Sequence, residues 1–129
     1  MIYVDSSVIL ARLLAEDRSP ADAFWGRPLV ASRLVEYEVW NRVHARRLEA
    51  SHGDAARALL GRLALVEMSP PILARALEPF PAPIRTLDAL HLASLHFLRS
   101  RDPSIRLATY DRRLADAGLA LGIPAEPLG

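Results

Sequence analysis

Residues 1–14 read MIYVDSSVILARLL, and the change of character at Asp5 decides the fold. Ile2, Tyr3 and Val4 are β-branched or aromatic, the residue types that suit a pleated, buried strand. From Ser6 the apolar residues recur at helical spacing, with Ser6 as candidate N-cap. A strand feeding straight into a helix is half of a β-α-β unit, and the rest of the chain continues the alternation.

Working outward, SPADAFW (19–25) predicts a short helix capped by Ser19 with Pro20 in its first position, and PLVAS (28–32) a strand. One long helix is expected from Ser32 through RLVEYEVWNRVHARRLEA (33–50), and another from about Asp54 through DAARALLGRLAL (54–65). ALVEM (64–68) reads as a short strand and SPPILARAL (69–77) as a helix opened by Ser-Pro. EPFPAPIR (78–85) packs three prolines into eight residues and is a loop. A helix capped by Thr86 then runs to about Arg99, RLATY (106–110) is a strand, DRRLADAGLALG (111–122) a helix ended by Gly122, and IPAEPL (123–128) a last short strand or tail. Strands alternating with helices predict a three-layer α/β/α domain with a mostly parallel central sheet.

The bulk properties agree with one domain spanning residues 1–129. Half the chain, 51%, is hydrophobic, enough for one sizeable core. There is no cysteine, hence no disulfide framework and no thiolate metal site. The N-terminal apolar run lacks a basic leader and is interrupted by Arg12, so neither a signal peptide nor a membrane span is expected, and the reading is of a soluble, cytoplasmic protein. Net charge is only +1, but all 16 basic residues are arginine. Arginine is the better residue for forked phosphate recognition, although a GC-rich coding bias accounts for the composition equally simply. The missing lysine excludes Walker-type nucleotide binding, for which there is no glycine-rich loop either, and argues against phosphatase or response-receiver chemistry. The phosphatases also require an acid two residues after the strand-end aspartate, where this chain has Ser7.

Asp5 directly follows the IYV strand and Asp111 the LATY strand, and ligands of parallel sheets bind beyond the carboxyl ends of strands. Asp88, in RTLDALHLASL (85–95), sits in the first turn of a helix that is apolar nearly all round and therefore buried. Singly, each of the three reads also as a helix-cap or first-turn carboxylate. Together, like charges in one crevice repel and raise one another's pKa, and a divalent cation relieves this. Oxygen-only ligation points to Mg²⁺ or Mn²⁺ rather than Zn²⁺.

MIYVDSSVILARLL, SRLVEYEVWNR, RTLDALHLASL and LATYDRRLADAGLALG, in this order and spacing, resemble the four motif blocks of a PIN domain, and most nearly the VapC-type toxins of bacterial toxin-antitoxin pairs. The resemblance spans essentially the whole chain. It implies a metal-dependent endoribonuclease whose acids, here Asp5, Glu38, Asp88 and Asp111, bind Mg²⁺ or Mn²⁺ and hydrolyse RNA phosphodiesters. It also implies a cognate VapB-type antitoxin that blocks the site, and a homodimer. The second block offers both Glu36 and Glu38. The family's glutamate usually lies six residues after the small polar residue that opens the helix, here Ser32, which selects Glu38. Helical geometry is compatible, since Glu38, Arg42 and Arg46 fall at four-residue steps, but periodicity alone leaves Glu36 open.

Around these acids stand weaker candidates. Asp116 is a fifth acid or a solvated helix residue. Ser6 and Ser7 are placed to bond the Asp5 carboxylate or to cap the first helix. His91, three residues after Asp88, either supports Asp88 or is a core histidine bonded to backbone. Arg33, Arg42, Arg46, Arg85, Arg112 and Arg113 are candidate phosphate contacts. Trp25 and Trp40 belong either to a partner groove or to the core. The competing reading of the whole chain is a non-catalytic PIN-like module that binds RNA or protein; retention of all four acids argues against it.

Overall fold

A computed structural model describes residues 1–129. Its strands are β1 (Ile2–Val4), β2 (Leu29–Ser32), β3 (Leu63–Val66) and β4 (Arg106–Ala108), and its helices α1 (Ser6–Leu13), α2 (Leu34–Ala45), α3 (Glu49–Leu60), α4 (Pro70–Ala76), α5 (Thr86–Arg99) and α6 (Arg112–Ala120). The strands form one sheet in the order β3-β2-β1-β4, and every pairing is parallel. The order reverses at β1, so the crevice beyond the carboxyl ends of β1 and β4 is the topological switch point.

Side-chain alternation along the strands builds the layers. Ile2 and Val4 point to one face, where they pack with Val8 and Ile9 of α1, Val35, Val39 and Val43 of α2, and Ala56 and Leu60 of α3. Tyr3 and Val30 point to the other, against Leu92 and Leu95 of α5 and Leu114 and Ala117 of α6. With both faces covered, the inner strands β1 and β2 are buried throughout, as interior parallel strands should be, while the edge strands expose Ala64 of β3 and Arg106 of β4. Gly122, at φ +77, ends α6 in the left-handed conformation glycine adopts readily, letting the Ile123 N–H reach the Gly118 carbonyl at 2.9 Å. No helix is long and apolar enough to cross a membrane.

Several local expectations are corrected. The long helix predicted through residue 50 stops at Ala45, and the next begins at Glu49 rather than near Asp54. Between them Arg47 takes φ 55, and the Leu48 N–H bonds to the Val43 carbonyl at 2.9 Å, which turns the chain so that Leu48 packs on the core and α3 doubles back against α1 and α2. Residues 19–25 form only a 3-10 turn, Asp22–Gly26, with no Ser19 cap. Of the two readings of IPAEPL, short strand or tail, the structure shows the tail, with a single bridge from Ala125 to Leu107; prolines at 124 and 127 have no N–H to extend a ladder. Trp25 is buried in the core, and Trp40 packs against it while carrying the Arg57 guanidinium 5.0 Å from its ring centre.

Candidate active site

The first helix is not capped as expected. Asp5, not Ser6, holds the N-cap position, and its side chain makes no cap bond because both carboxylate oxygens are engaged elsewhere. Ser7 Oγ donates to Asp5 Oδ1 at 2.6 Å and Thr109 Oγ1 to Asp5 Oδ2 at 2.8 Å. Both hydroxyls also accept: Ser7 Oγ from the Tyr110 N–H and Thr109 Oγ1 from the Asp111 N–H, each at 2.9 Å. The hydroxyls thus lace the end of β1 to the segment after β4. Asp5 is only 5% exposed. Burial pushes its carboxyl pKa up, partly offset by the Ser7 and Thr109 bonds.

A crevice of about 540 Å³ is lined by Glu38, Arg42, Arg85, Asp88, Asp111 and Arg113 among others; Asp5 is not part of its lining but is tied to the Asp111 segment through Thr109. Asp111 is the N-cap of α6, its Oδ1 accepting from the Arg113 N–H at 2.9 Å and the Leu114 N–H at 3.3 Å. Asp88 stands in the first turn of α5, which is preceded by Arg85 rather than Thr86 at the N-cap. Partial burial and then the charge of Asp111 hold the Asp88 carboxyl above its ordinary pKa, against the pull of His91 and Arg85. Asp116 lines an adjoining groove that shares Arg85, Asp88 and Arg113 with the crevice.

The two glutamates of α2 part company. Arg33 Nη1 bonds Glu36 at 2.6 Å and the same guanidinium reaches Glu67, a cluster outside the crevice. Glu38 lines the crevice and lies 2.6 Å from His91 Nε2. His91 is buried and bonded neither to backbone nor to Asp88: its Nδ1 lies 2.8 Å from the Tyr3 hydroxyl. Burial alone lowers the imidazole pKa, but the Glu38 bond and the charges of Glu38, Asp5 and Asp88 outweigh it and the net shift is upward. Burial pushes the Tyr3 phenol up, so it stays protonated. Of the arginines, Arg42, Arg85 and Arg113 line the crevice and make no ion pair; Arg33 is consumed by Glu36 and Glu67; Arg46 and Arg112 line neither the crevice nor its neighbour.

The donor set suits a hard divalent cation. It is made of oxygens, and two of its carboxyls, Asp5 and Asp88, are raised in pKa with no cationic side chain bonded to them. As the side chains stand, no three Asp, Glu or His groups converge closely enough to hold an ion. Thr109 and Tyr3 were not singled out from the sequence. Thr109 had one usable signal, a hydroxyl two residues before a strand-end aspartate; Tyr3 had none beyond its apolar surroundings.

The PIN domain family model matches residues 2–119. Among curated relatives, Ribonuclease VapC46 of Mycobacterium tuberculosis is 35% identical over 125 residues, covering 95% of this chain and 93% of the relative. Ribonuclease VapC47 of the same species is 30% identical over 135 residues, covering 98% and 97%. Among solved structures, VapC20 of M. tuberculosis, a Sarcin-Ricin loop cleaving toxin, superposes with a TM-score of 0.66 at 18% identity, over 92% of this chain and 95% of that one. A toxin-antitoxin complex from Klebsiella pneumoniae gives a TM-score of 0.61 at 17% identity, over 86% and 87%.

Proposed function

The chain belongs to the PIN domain family, and from that premise we propose that it is a Mg²⁺- or Mn²⁺-dependent endoribonuclease, the toxin of a VapBC-type pair. One observation supports the reading above the others: Glu38, Asp88 and Asp111 share a switch-point crevice with three arginines that have no carboxylate partner, while Asp5, buried at the end of β1, is tied to the Asp111 segment through Thr109. Acids and unpaired cations side by side are unfavourable as a structural device, since pairing them would neutralise both; they suit a substrate that brings negative phosphates and a cofactor that brings positive charge.

Asp5, Glu38, Asp88 and Asp111 would hold the cation. Once bound, it supplies the Lewis acidity for phosphodiester hydrolysis. The protein's own groups do the rest. Arg42, Arg85 and Arg113 bind backbone phosphates and set the strand's register without reading its bases. Ser7 and Thr109 keep the Asp5 carboxylate in one orientation, and the α6 N-terminus does the same for Asp111. The N-terminal turn of α5 favours negative charge at Asp88.

The biological partners follow from the same proposal: an RNA substrate, a VapB-type antitoxin that covers the crevice, and a second copy of the chain. Self-association is supported by the apolar side chains left exposed at Leu73, Leu77 and Leu87, on α4, just beyond it and at the start of α5. The experiment is RNA cleavage with and without EDTA, with Mn²⁺ added back, on the wild type and on Asp88→Asn. Cleavage that EDTA abolishes and Mn²⁺ restores, with Asp88→Asn binding RNA but not cutting it, is the expected result. Equal cleavage after Asp5 and Asp88 are both replaced sinks the site, and RNA binding without any cleavage leaves a non-catalytic module.

A further inference from the structure

Glu38 is the only acid of the crevice whose orientation is set by another side chain's ring. A carboxylate can only accept, so the proton shared at 2.6 Å belongs to His91 Nε2, and it fixes Glu38 Oε1. His91 in turn cannot rotate away. Its Nδ1 is held at 2.8 Å by the Tyr3 hydroxyl, the ring is 2% exposed, and Tyr3 beneath it is fully buried within β1. No hydrogen bond is made by Glu38 Oε2, which leaves that oxygen for the crevice.

We propose that His91 is the positioning residue of the site, holding Glu38 so that one oxygen is fixed and the other is presented to the crevice, with Tyr3 as its backstop. The proposal rests on the reading of Glu38 as a functional acid. Its chemistry is that of an outer group orienting an inner one, in which the orienting ring never touches the substrate. The line of bonds from fully buried Tyr3 through buried His91 to part-exposed Glu38 transmits the rigidity of the sheet at Tyr3 to a side chain on α2, 53 positions before His91 in the chain.

The test uses the full chain and four variants: His91→Leu, His91→Gln, Tyr3→Phe, and the Tyr3→Phe/His91→Leu double variant, which leaves no buried hydroxyl orphaned and guards against misfolding. Three quantities are read: thermal melting, kcat and KM on an RNA oligonucleotide, and Mn²⁺ affinity by electron paramagnetic resonance. His91→Leu and the double variant are expected to lose about 10- to 100-fold in kcat and in Mn²⁺ affinity, with KM for RNA within about 3-fold. His91→Gln, which keeps an N–H near the Nε2 position, restores most of both, and Tyr3→Phe shows a smaller loss of the same kind. A folded double variant with unchanged kcat and Mn²⁺ affinity overturns the proposal, as does a His91→Gln no better than His91→Leu.

A cycle of His91→Leu against Glu38→Gln separates this from the cation reading. If the wild type cuts RNA but binds no Mn²⁺, the cation reading fails while non-additive losses in kcat still uphold His91 as the orienter of Glu38. If Glu38→Gln cuts like the wild type, His91 has nothing to orient and the proposal falls.

Discussion

Replacing Thr109 by valine removes one hydroxyl and keeps the side-chain shape, so its effect can be worked from two distances. The bond to Asp5 Oδ2 at 2.8 Å ends on a buried carboxylate, and a bond to a charged group contributes about 1.5–3 kcal/mol. The Asp111 N–H also loses its acceptor at 2.9 Å. That residue is half-buried, so water recovers part of the loss and about 0.5–1 kcal/mol is added. The sum is a loss of about 2–4 kcal/mol, a large share of a typical domain's stability. In a urea titration the midpoint falls with little change of slope, and the melting temperature drops by roughly 8–15 °C for a chain of this size. Thr109→Ser, which retains the hydroxyl, recovers most of it. In an Asp5→Asn background the penalty shrinks to about 1 kcal/mol, because the acceptor is no longer charged. A Thr109→Val protein within about 0.5 kcal/mol of wild type, or an equal penalty in both backgrounds, refutes the argument that the hydroxyl acts through Asp5.

Three further outcomes can be measured with the same preparations. Glu38→Gln loses RNA cleavage by about 10- to 100-fold or more, whereas Glu36→Gln, which breaks only the half-exposed pair with Arg33, leaves cleavage at the wild-type rate; the reverse result reassigns the α2 acid. Gly53→Ala, inside α3, raises stability by about 0.5–1 kcal/mol, since the added methyl meets its nearest neighbour, Arg57 Nη1, at an ordinary 3.5 Å; a lower urea midpoint contradicts this. Leu92→Ala, fully buried between α5 and the sheet, lowers the unfolding free energy by about 2–5 kcal/mol, read from the same titration.

The alternation of strands and helices was legible because buried parallel strands and amphipathic helices leave different periods in the sequence. Strands β2 and β3 could be read from runs of four residues. The turn at Arg47 could not, because HARRLEA contains neither glycine nor proline, and the left-handed residue is imposed by the burial of Leu48 and the packing of α3. The helix caps depart from local chemistry for a related reason. Ser6 and Thr86 have the right chemistry, but Asp5 and Arg85 take the N-cap positions. The acids themselves stood out as charges at strand ends and in an apolar helix. Their partners did not: Thr109 is 104 positions from Asp5 and His91 53 from Glu38, and no local pattern records a contact at that range. The open choice between Glu36 and Glu38 meets a long-range fact of the same kind, the presence of Glu67 beside Arg33.

The hydroxyl lacing between residues 5 and 109 also bears on how the molecule comes into being. During synthesis the carboxylate of Asp5 leaves the ribosome early, and at about 5–20 residues per second its Thr109 partner follows roughly 5–20 s later. Strand β1 is in the same position, since one of its two neighbours, β4, is the last strand made. The proposed catalytic crevice is therefore closed by the final quarter of the chain, and a ribosome that stalls before Thr109 releases a fragment with its first acid unsupported and its crevice unformed. Formation of the proposed site thus requires synthesis through β4 and α6.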